Sequence, residues 1–196
     1  MSLFPSHPFT NLLPCDGIVH YHGRVAPEYY YGDLFNSIMW KHDEAILYGK
    51  RIVTQRKVAW YGDKPYAYTY SKTTKYALPW TESLLALKSI AEHHAGSGFN
   101  SCLLNLYHSG EEGMGWHSDD EKELVKDGTI ASLSFGAERP FHFKHKVTGQ
   151  LVTVMLENGS LLVMKGSTQS HWLHSLPKRT KIKSPRINLT FRTIQD

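Results

Sequence analysis

The spacing of apolar residues changes near residue 99. Before that point it is helical. In "YYYGDLFNSIMWK", Tyr31, Leu34, Phe35, Ile38 and Met39 recur on one side of a helix. Thr81 precedes "ESLLALKSIAEHHAG", which predicts a second helix ending near Gly96. His93 and His94 at its end suit the helix dipole. "KHDE" at 41–44 reads as the solvated end of the first helix. After residue 99 the chain becomes a series of short strands and turns. "FNSCLLNLY" is one strand, and "TIASLSFG" and "PFHFKHK" flank a turn at Gly136–Arg139. "QLVTVML" and "SLLVMK" flank Glu157-Asn158-Gly159, a strong hairpin signal. "HWLHSL" and "PRINLTFRTI" follow. Short strands at this spacing predict a sandwich, jelly roll or barrel. The expected architecture is α+β in one domain, 1–196. Helices and loops occupy about 1–98, and an all-β half about 99–196.

Composition adds limits. The 196 residues are 41% hydrophobic and 20% charged, ordinary values for a globular protein with a sizeable core. No apolar run approaches the roughly 20 residues that span a bilayer. "MSLFPSHPFTNLLPCDG" lacks a basic start followed by an apolar core, so no secretory signal is expected. Cys15 and Cys102 are far apart and form no Cys-x-x-Cys unit. Free thiols in a reducing cytoplasm are the expectation, and no zinc finger. The net charge of +4 permits a polyanionic partner without requiring one. Basic residues cluster at Lys50, Arg51, Arg56 and Lys57, and again at Lys178, Arg179, Lys181, Lys183 and Arg186.

Alternation in the last strand places Arg186, Asn188, Thr190 and Arg192 on one face and Ile187, Leu189 and Phe191 on the other. A row with two guanidinium groups suits a ligand bearing carboxylates, and it equally describes a solvent-facing edge strand. Leu103, Asn105 and Tyr107 form a similar row. In "GMGWHSDDEKEL", His117 and Asp119 are two apart and can face one metal, while Ser118 and Asp120 point elsewhere. Two histidines and one carboxylate on one side of a metal are typical of non-haem iron oxygenases. "SHWLHSLPKR" offers His171 and His174, which cannot share a strand face, and spacing does not choose between them. His42, His108, His142 and His145 stand outside this set.

"NLY" at 105–107, "WHSDDE" at 116–121, "IASLSFGAERPF" at 130–141, "GSLLVMKG" at 159–166, "HWLHSLPK" at 171–178 and "PRINLTFR" at 185–192 together resemble the AlkB family, over roughly residues 50–194. That family consists of iron(II)- and 2-oxoglutarate-dependent nucleic-acid demethylases. The resemblance implies a double-stranded β-helix, a jelly roll, with an N-terminal nucleotide-recognition lid. It implies His117, Asp119 and His174 as iron ligands, with His171 a structural neighbour. It implies Arg186 on the far carboxylate of 2-oxoglutarate, and Arg192 near its metal-bound end. Asn105, Tyr107 and Asn188 match further cosubstrate contacts. "WYGDKPYAYTYS" matches the lid, with Tyr68 and Tyr70 as base-contacting aromatics. Asp120 matches an acid that bonds an exocyclic amine of the base, and Arg56 joins the phosphate anchors. Gly113 and Gly115 are expected to let the loop reach the pocket mouth. The implied reaction uses iron(II), O2 and 2-oxoglutarate. It removes the methyl of 1-methyladenine or 3-methylcytosine in DNA or RNA as formaldehyde, from a flipped or single-stranded base. A monomer is the family default. The rival readings are an oxygenase of the same fold acting on protein, lipid or a small molecule, and a non-catalytic jelly-roll binding module.

Overall fold

The computed structural model describes residues 10–47, 50–70 and 73–195, with the backbone alone described at 43–47, 50–52, 68–70 and 73–75. The elements run β1 (Ile18–Arg24), α1 (Tyr30–Ser37), β2 (Lys41–Leu47), β3 (Lys50–Gly62), β4 (Ala67–Tyr70), β5 (Thr73–Tyr76) and α2 (Glu82–Ala95). They continue as β6 (Ser101–Tyr107), β7 (Met114–His117), β8 (Ile130–Gly136), β9 (Arg139–His145), β10 (Leu151–Leu156), β11 (Ser160–Lys165), α3 (Thr168–His171), β12 (Trp172–Leu176) and β13 (Arg186–Arg192). A seven-stranded major sheet has the order β1-β11-β8-β13-β6-β3-β2. A four-stranded minor sheet has the order β10-β9-β12-β7, and β4 pairs with β5 apart from both. This is a jelly roll.

Alternation divides the core in two. Ile187, Leu189 and Phe191 of β13 pack with Leu104, Leu106, Leu133 and Phe135 under α1 and α2, which contribute Leu34, Leu84, Leu87 and Ala91. On the other side of the major sheet, Val19, Leu162 and Met164 meet Phe141, Phe143, Trp172 and Leu176 of the minor sheet. The polar row of β13 therefore faces the space between the sheets. Burial of the apolar row, at roughly 25 cal/mol per Å² of apolar surface, is the main force holding the sheet against the helices.

The helix signals hold. Thr81 caps α2 by accepting from the Leu84 amide at 3.3 Å, and Gly96 ends it in the left-handed region at φ 62°. Burial, then His93, holds the His94 pKa below the usual imidazole value, so it does not serve the dipole as a cation.

Three expectations are corrected. The N-terminal part is not helices and loops alone. β1, β2 and β3 supply both edges of the major sheet, β1 pairing with β11 and β3 with β6. "KHDE" is not a helix end. α1 stops at Ser37, and Lys41–Leu47 pairs with β3. The turn Glu157-Asn158-Gly159 does not close a hairpin. β10 pairs with β9 in the minor sheet, while β11 pairs with β1 and β8 in the major one. The turn signal was local, and the two strands it joins bury their apolar faces in different sheets. Gly159 is required there. It sits at φ 75°, and a Cβ would come 2.3 Å from the Ala26 carbonyl oxygen.

Gly159→Ala should therefore lose about 2 kcal/mol or more of unfolding free energy, read by urea denaturation. An unchanged midpoint would show that the inter-sheet turn relaxes freely. A second expectation concerns His22, whose Nε2 is buried without a partner. Burial first, then His94, His20 and Lys165, lower its pKa to about 4. The unfolded chain keeps the ordinary value near 6.5 and so binds more protons between those limits. Stability should fall as pH drops from about 6.5 toward 4, and His22→Gln should flatten that slope. Parallel slopes for both proteins would remove His22 from the account.

Candidate active site

The site begins with one strand pair. β12 runs antiparallel to β7, with His174 directly opposite His117 and Leu176 opposite Met114. Two residues on β12 thus match three on β7, a bulge that turns both Met114 and His117 inward. Gly113 leads into it because a Cβ there would meet the Leu176 carbonyl oxygen at 2.5 Å. Gly115 has open space around it, so only Gly113 is sterically required.

The two Nε2 atoms of His117 and His174 are 3.1 Å apart. Asp119 Oδ1 lies 3.8 Å from His117 Nε2 and 4.0 Å from His174 Nε2. Metal–nitrogen bonds of about 2.1 Å at right angles would set two donors about 3 Å apart, so the imidazole pair fits a shared ion. The tautomer fits as well. His117 Nδ1 is 2.8 Å from the Gly115 carbonyl, which can only accept. The proton is therefore on Nδ1, and the Nε2 lone pair faces inward, as in metal-ligating histidines whose far N–H is held by a carbonyl. Burial lowers the His174 pKa to about 4, against a smaller opposing pull from Asp119. Burial works against ionised Asp119, but Arg192, His174 and His117 outweigh it and hold its pKa below the usual carboxylate range. Two imidazoles, one with its far nitrogen held by a carbonyl and one kept neutral by burial, and one carboxylate are thus placed as ligands.

His171 ends α3, outside this trio, with its ring parallel to that of His145 at 6.3 Å. Cys15, Asp16 and His145 also place possible ligand atoms within 4.8 Å of one another. There the tautomer is wrong. The Thr148 amide donates to His145 Nδ1 at 3.1 Å, so Nε2 carries the proton and faces Asp16 at 3.3 Å. That trio is an imidazole N–H near an exposed carboxylate and an exposed thiol, with no nitrogen lone pair turned toward them.

The cavity between the sheets, about 70 Å³, is lined by the trio together with Asn105, Tyr107, Arg186, Asn188 and Arg192. Arg186 is 1% exposed. It donates to Ser134 Oγ at 2.9 Å and lies over the Tyr107 ring at 5.6 Å. Its Nε is buried without a partner, and no carboxylate pairs with it among the described residues. Burial lowers its pKa to about 10, so it remains a cation. An unpaired buried guanidinium is costly unless something anionic arrives, and a ligand carboxylate fits it. Asn188 Nδ2 donates to Ser132 Oγ at 2.9 Å and the Leu133 carbonyl at 3.0 Å.

Other expected site residues lie elsewhere. Arg56 is not displayed as an outward anchor. Its Nη1 donates to Asn105 Oδ1 at 2.9 Å and comes within 3.7 Å of Met114 Sδ, at the rim of the cavity. Asp120 lines a neighbouring cavity of about 320 Å³ along the 119–130 segment, which shares Asp119 and Arg192 with the cavity of the trio. Tyr68 and Tyr70 belong to β4, and their side chains fall outside the described residues. Arg192 Nη1 donates to Glu121 Oε1 at 3.1 Å and approaches Asp119 Oδ1 at 3.8 Å. Burial opposes its charge, yet Asp119 and Glu121 more than offset that and raise its pKa. Glu121 was not singled out from the sequence, although the two-residue alternation of His117 and Asp119 leads directly to it. Arg139 was also missed. It is fully buried and donates to the carbonyls of Ser109, Glu112 and Pro177, tying together the loops beside the cavity.

A jelly roll holding two imidazoles and a carboxylate at one point, with an unpaired arginine deeper in, has the architecture of non-haem iron oxygenases. The family model described as the 2OG-Fe(II) oxygenase superfamily matches residues 30–192. "Alpha-ketoglutarate-dependent dioxygenase alkB homolog 3" of Bos taurus is 41% identical over 171 residues, 82% of this chain and 59% of that protein. "DNA oxidative demethylase ALKBH2" of Bos taurus is 42% identical over 156 residues, 76% of this chain and 56% of that protein. The solved structure titled "The structure of OsALKBH1" superimposes with a TM-score of 0.64 at 15% identity, covering 92% of this chain and 98% of that one, and bears on the fold alone. The chain belongs to the 2OG-Fe(II) oxygenase superfamily and, within it, to the AlkB family. It spans less than two thirds of the length of these curated relatives.

Arg186→Met separates ligand binding from folding. Without ligand the variant should be at least as stable as the parent, because an uncompensated buried charge is replaced by an apolar chain. Added 2-oxoglutarate with Mn²⁺ should raise the parent's Tm and leave the variant's unchanged. An equal rise in both would remove Arg186 from cosubstrate binding.

Proposed function

We propose that the protein is an iron(II)- and 2-oxoglutarate-dependent dioxygenase that removes N-methyl groups from bases such as 1-methyladenine and 3-methylcytosine in DNA or RNA. The observation that carries this reading is the trio His117, Asp119 and His174 beside the unpaired Arg186, in one cavity. When bound, iron with 2-oxoglutarate and O2 supplies the oxidising power, and the hydroxylated methyl group leaves as formaldehyde. The chain's residues do the rest. His117 and His174 present their Nε2 atoms, and Asp119 adds one negative charge. Arg186 holds the far carboxylate of 2-oxoglutarate, with Tyr107 under its guanidinium and Ser134 fixing one nitrogen. Asn105 and Asn188 line the path between that anchor and the metal.

Arg192 has a second duty in this reading. Its two carboxylate neighbours use its charge, so it orients Asp119 while standing near the metal-bound end of the cosubstrate. Tyr68 and Tyr70 on β4 form the base-contacting wall, and Asp120 and Arg56 contribute on the substrate side. The nucleic-acid substrate is supported by the likeness to relatives whose names describe an alkB homolog and a DNA oxidative demethylase. No helix of the described chain is long and apolar enough to cross a membrane. The remaining proposals are one domain over 1–196, a cytoplasmic location and a monomeric state.

The test is the intact mass of a short oligonucleotide carrying one 1-methyladenine, after incubation with protein, iron(II), ascorbate and oxygen. Loss of one methylene mass should require 2-oxoglutarate and vanish in Asp119→Ala. Activity of that variant equal to the parent's would sink the trio assignment. No loss with a protein shown to bind metal and 2-oxoglutarate would move the substrate away from this lesion.

A further inference from the structure

The outer face of the minor sheet carries a feature that the cavity does not use. Inward residues of β9 are Phe141, Phe143 and His145, all buried, which leaves His142 and Lys144 on the outside. The bulge in β7 likewise turns Trp116 outward, next in sequence to the inward ligand His117. Trp116 is 43% exposed, a large area for an indole with no core to fill. Lys144 Nζ lies over its ring at 5.9 Å, and the His142 ring is 6.4 Å away. Arg179 stands close enough to act on His142 electrostatically. Neither Lys144 nor Arg179 has a carboxylate partner among the described residues. Exposed aromatic surface between unpaired cations fits a polyanion that also carries flat rings, which is single-stranded nucleic acid.

We propose that Trp116, with Lys144 over its ring, is a stacking step for a nucleotide next to the one held at the metal. The proposal rests on the nucleic-acid reading above. β7 is the edge strand of the minor sheet, so nothing pairs with its free side. A strand of nucleic acid can pass over that edge, with one base on the His117 side and a neighbour against Trp116. Consecutive residues of a strand point to opposite faces, which makes this edge a divider between the two bases. Lys144 and Arg179 then neutralise phosphates on the outer side. The basic loop that carries Arg179 is fixed in place for this. The Arg179 amide bonds the Gly110 carbonyl at 2.6 Å, the Gly110 amide bonds the Ile182 carbonyl at 2.8 Å, and Lys183 pairs with Glu111 at 2.8 Å. Gly110 permits the clamp, because a Cβ there would overlap the Arg179 carbonyl.

The experiment measures affinity for an unmodified, fluorescein-labelled oligothymidylate, and for an oligouridylate, by anisotropy across a salt series. The proteins are the full chain, W116A, W116F and K144Q. W116A should bind one or both strands about tenfold more weakly with an unchanged salt slope, and W116F should keep most of the affinity. K144Q should reduce the salt slope by about one. The Tm rise with 2-oxoglutarate and Mn²⁺ should be intact in each variant, which separates lost stacking from lost folding. Parent-like binding by W116A, while the parent binds and demethylates, overturns this proposal and leaves the function standing. A parent protein that demethylates the methylated oligonucleotide but binds neither strand overturns this proposal alone, and one that neither binds nor demethylates overturns both. A change in sedimentation mass for W116A without a change in strand affinity assigns the face to a second copy of the chain and also overturns the proposal.

Discussion

The register of β7 against β12 is the constraint on which the site depends. It holds two ring nitrogens 3.1 Å apart in a largely buried place. Such a pair is tolerable only if at least one ring presents a lone pair to the other. The Gly115 carbonyl holds a proton of His117 on the far nitrogen, and burial favours the neutral form of His174. One carboxylate then suffices, and Arg192 keeps it ionised. A slip of one residue in this pairing would send His117 to the outer face and Trp116 to the inner one.

Three buried arginines show three ways to keep a guanidinium out of water. Arg139 is served by three backbone carbonyls from two loops and acts as a tie. Arg192 is paired with carboxylates and acts as an orienter. Arg186 has a hydroxyl and an aromatic face but no counter-charge. The fold therefore keeps one buried positive charge without a carboxylate partner among the described residues that line its cavity. The apolar face of β13 bears that cost, because Ile187, Leu189 and Phe191 are fully buried beneath the helices.

Much of this was legible along the chain. Alternation alone separated the two faces of β13, and both faces are where it placed them. The His117–Asp119 spacing was informative because His117 ends the edge strand β7 and Asp119 follows two residues on. The choice of His174 over His171 was not legible from spacing. It depends on α3 ending at His171, a short turn that the sequence does not announce. The strand pairings of residues 157–160 were misread because a turn signal is local, whereas which sheet a strand joins is decided by residues far away. Arg56 and Asp120 were placed by resemblance, and the structure gives them neighbours that their charge did not predict. Glu121 stands beside two acids with assigned roles, and its pairing with Arg192 brings together residues 71 positions apart, which local spacing does not show.

The position of β13 has a consequence for how the molecule is made. This strand lies between β8 and β6, at the centre of the major sheet. Its sequence follows all the others of that sheet. Until residues 186–192 emerge from the ribosome, β6 and β8 each have an open, hydrogen-bond-hungry side, and the apolar undersides of α1 and α2 have little to cover. Folding must then wait for an insertion into the middle, closing loops of very different lengths at once. Such non-local closure is slow. A growing chain of this design stays exposed to sticking until β13 arrives, and a chaperone that shields the gap between β6 and β8 would find its natural use there.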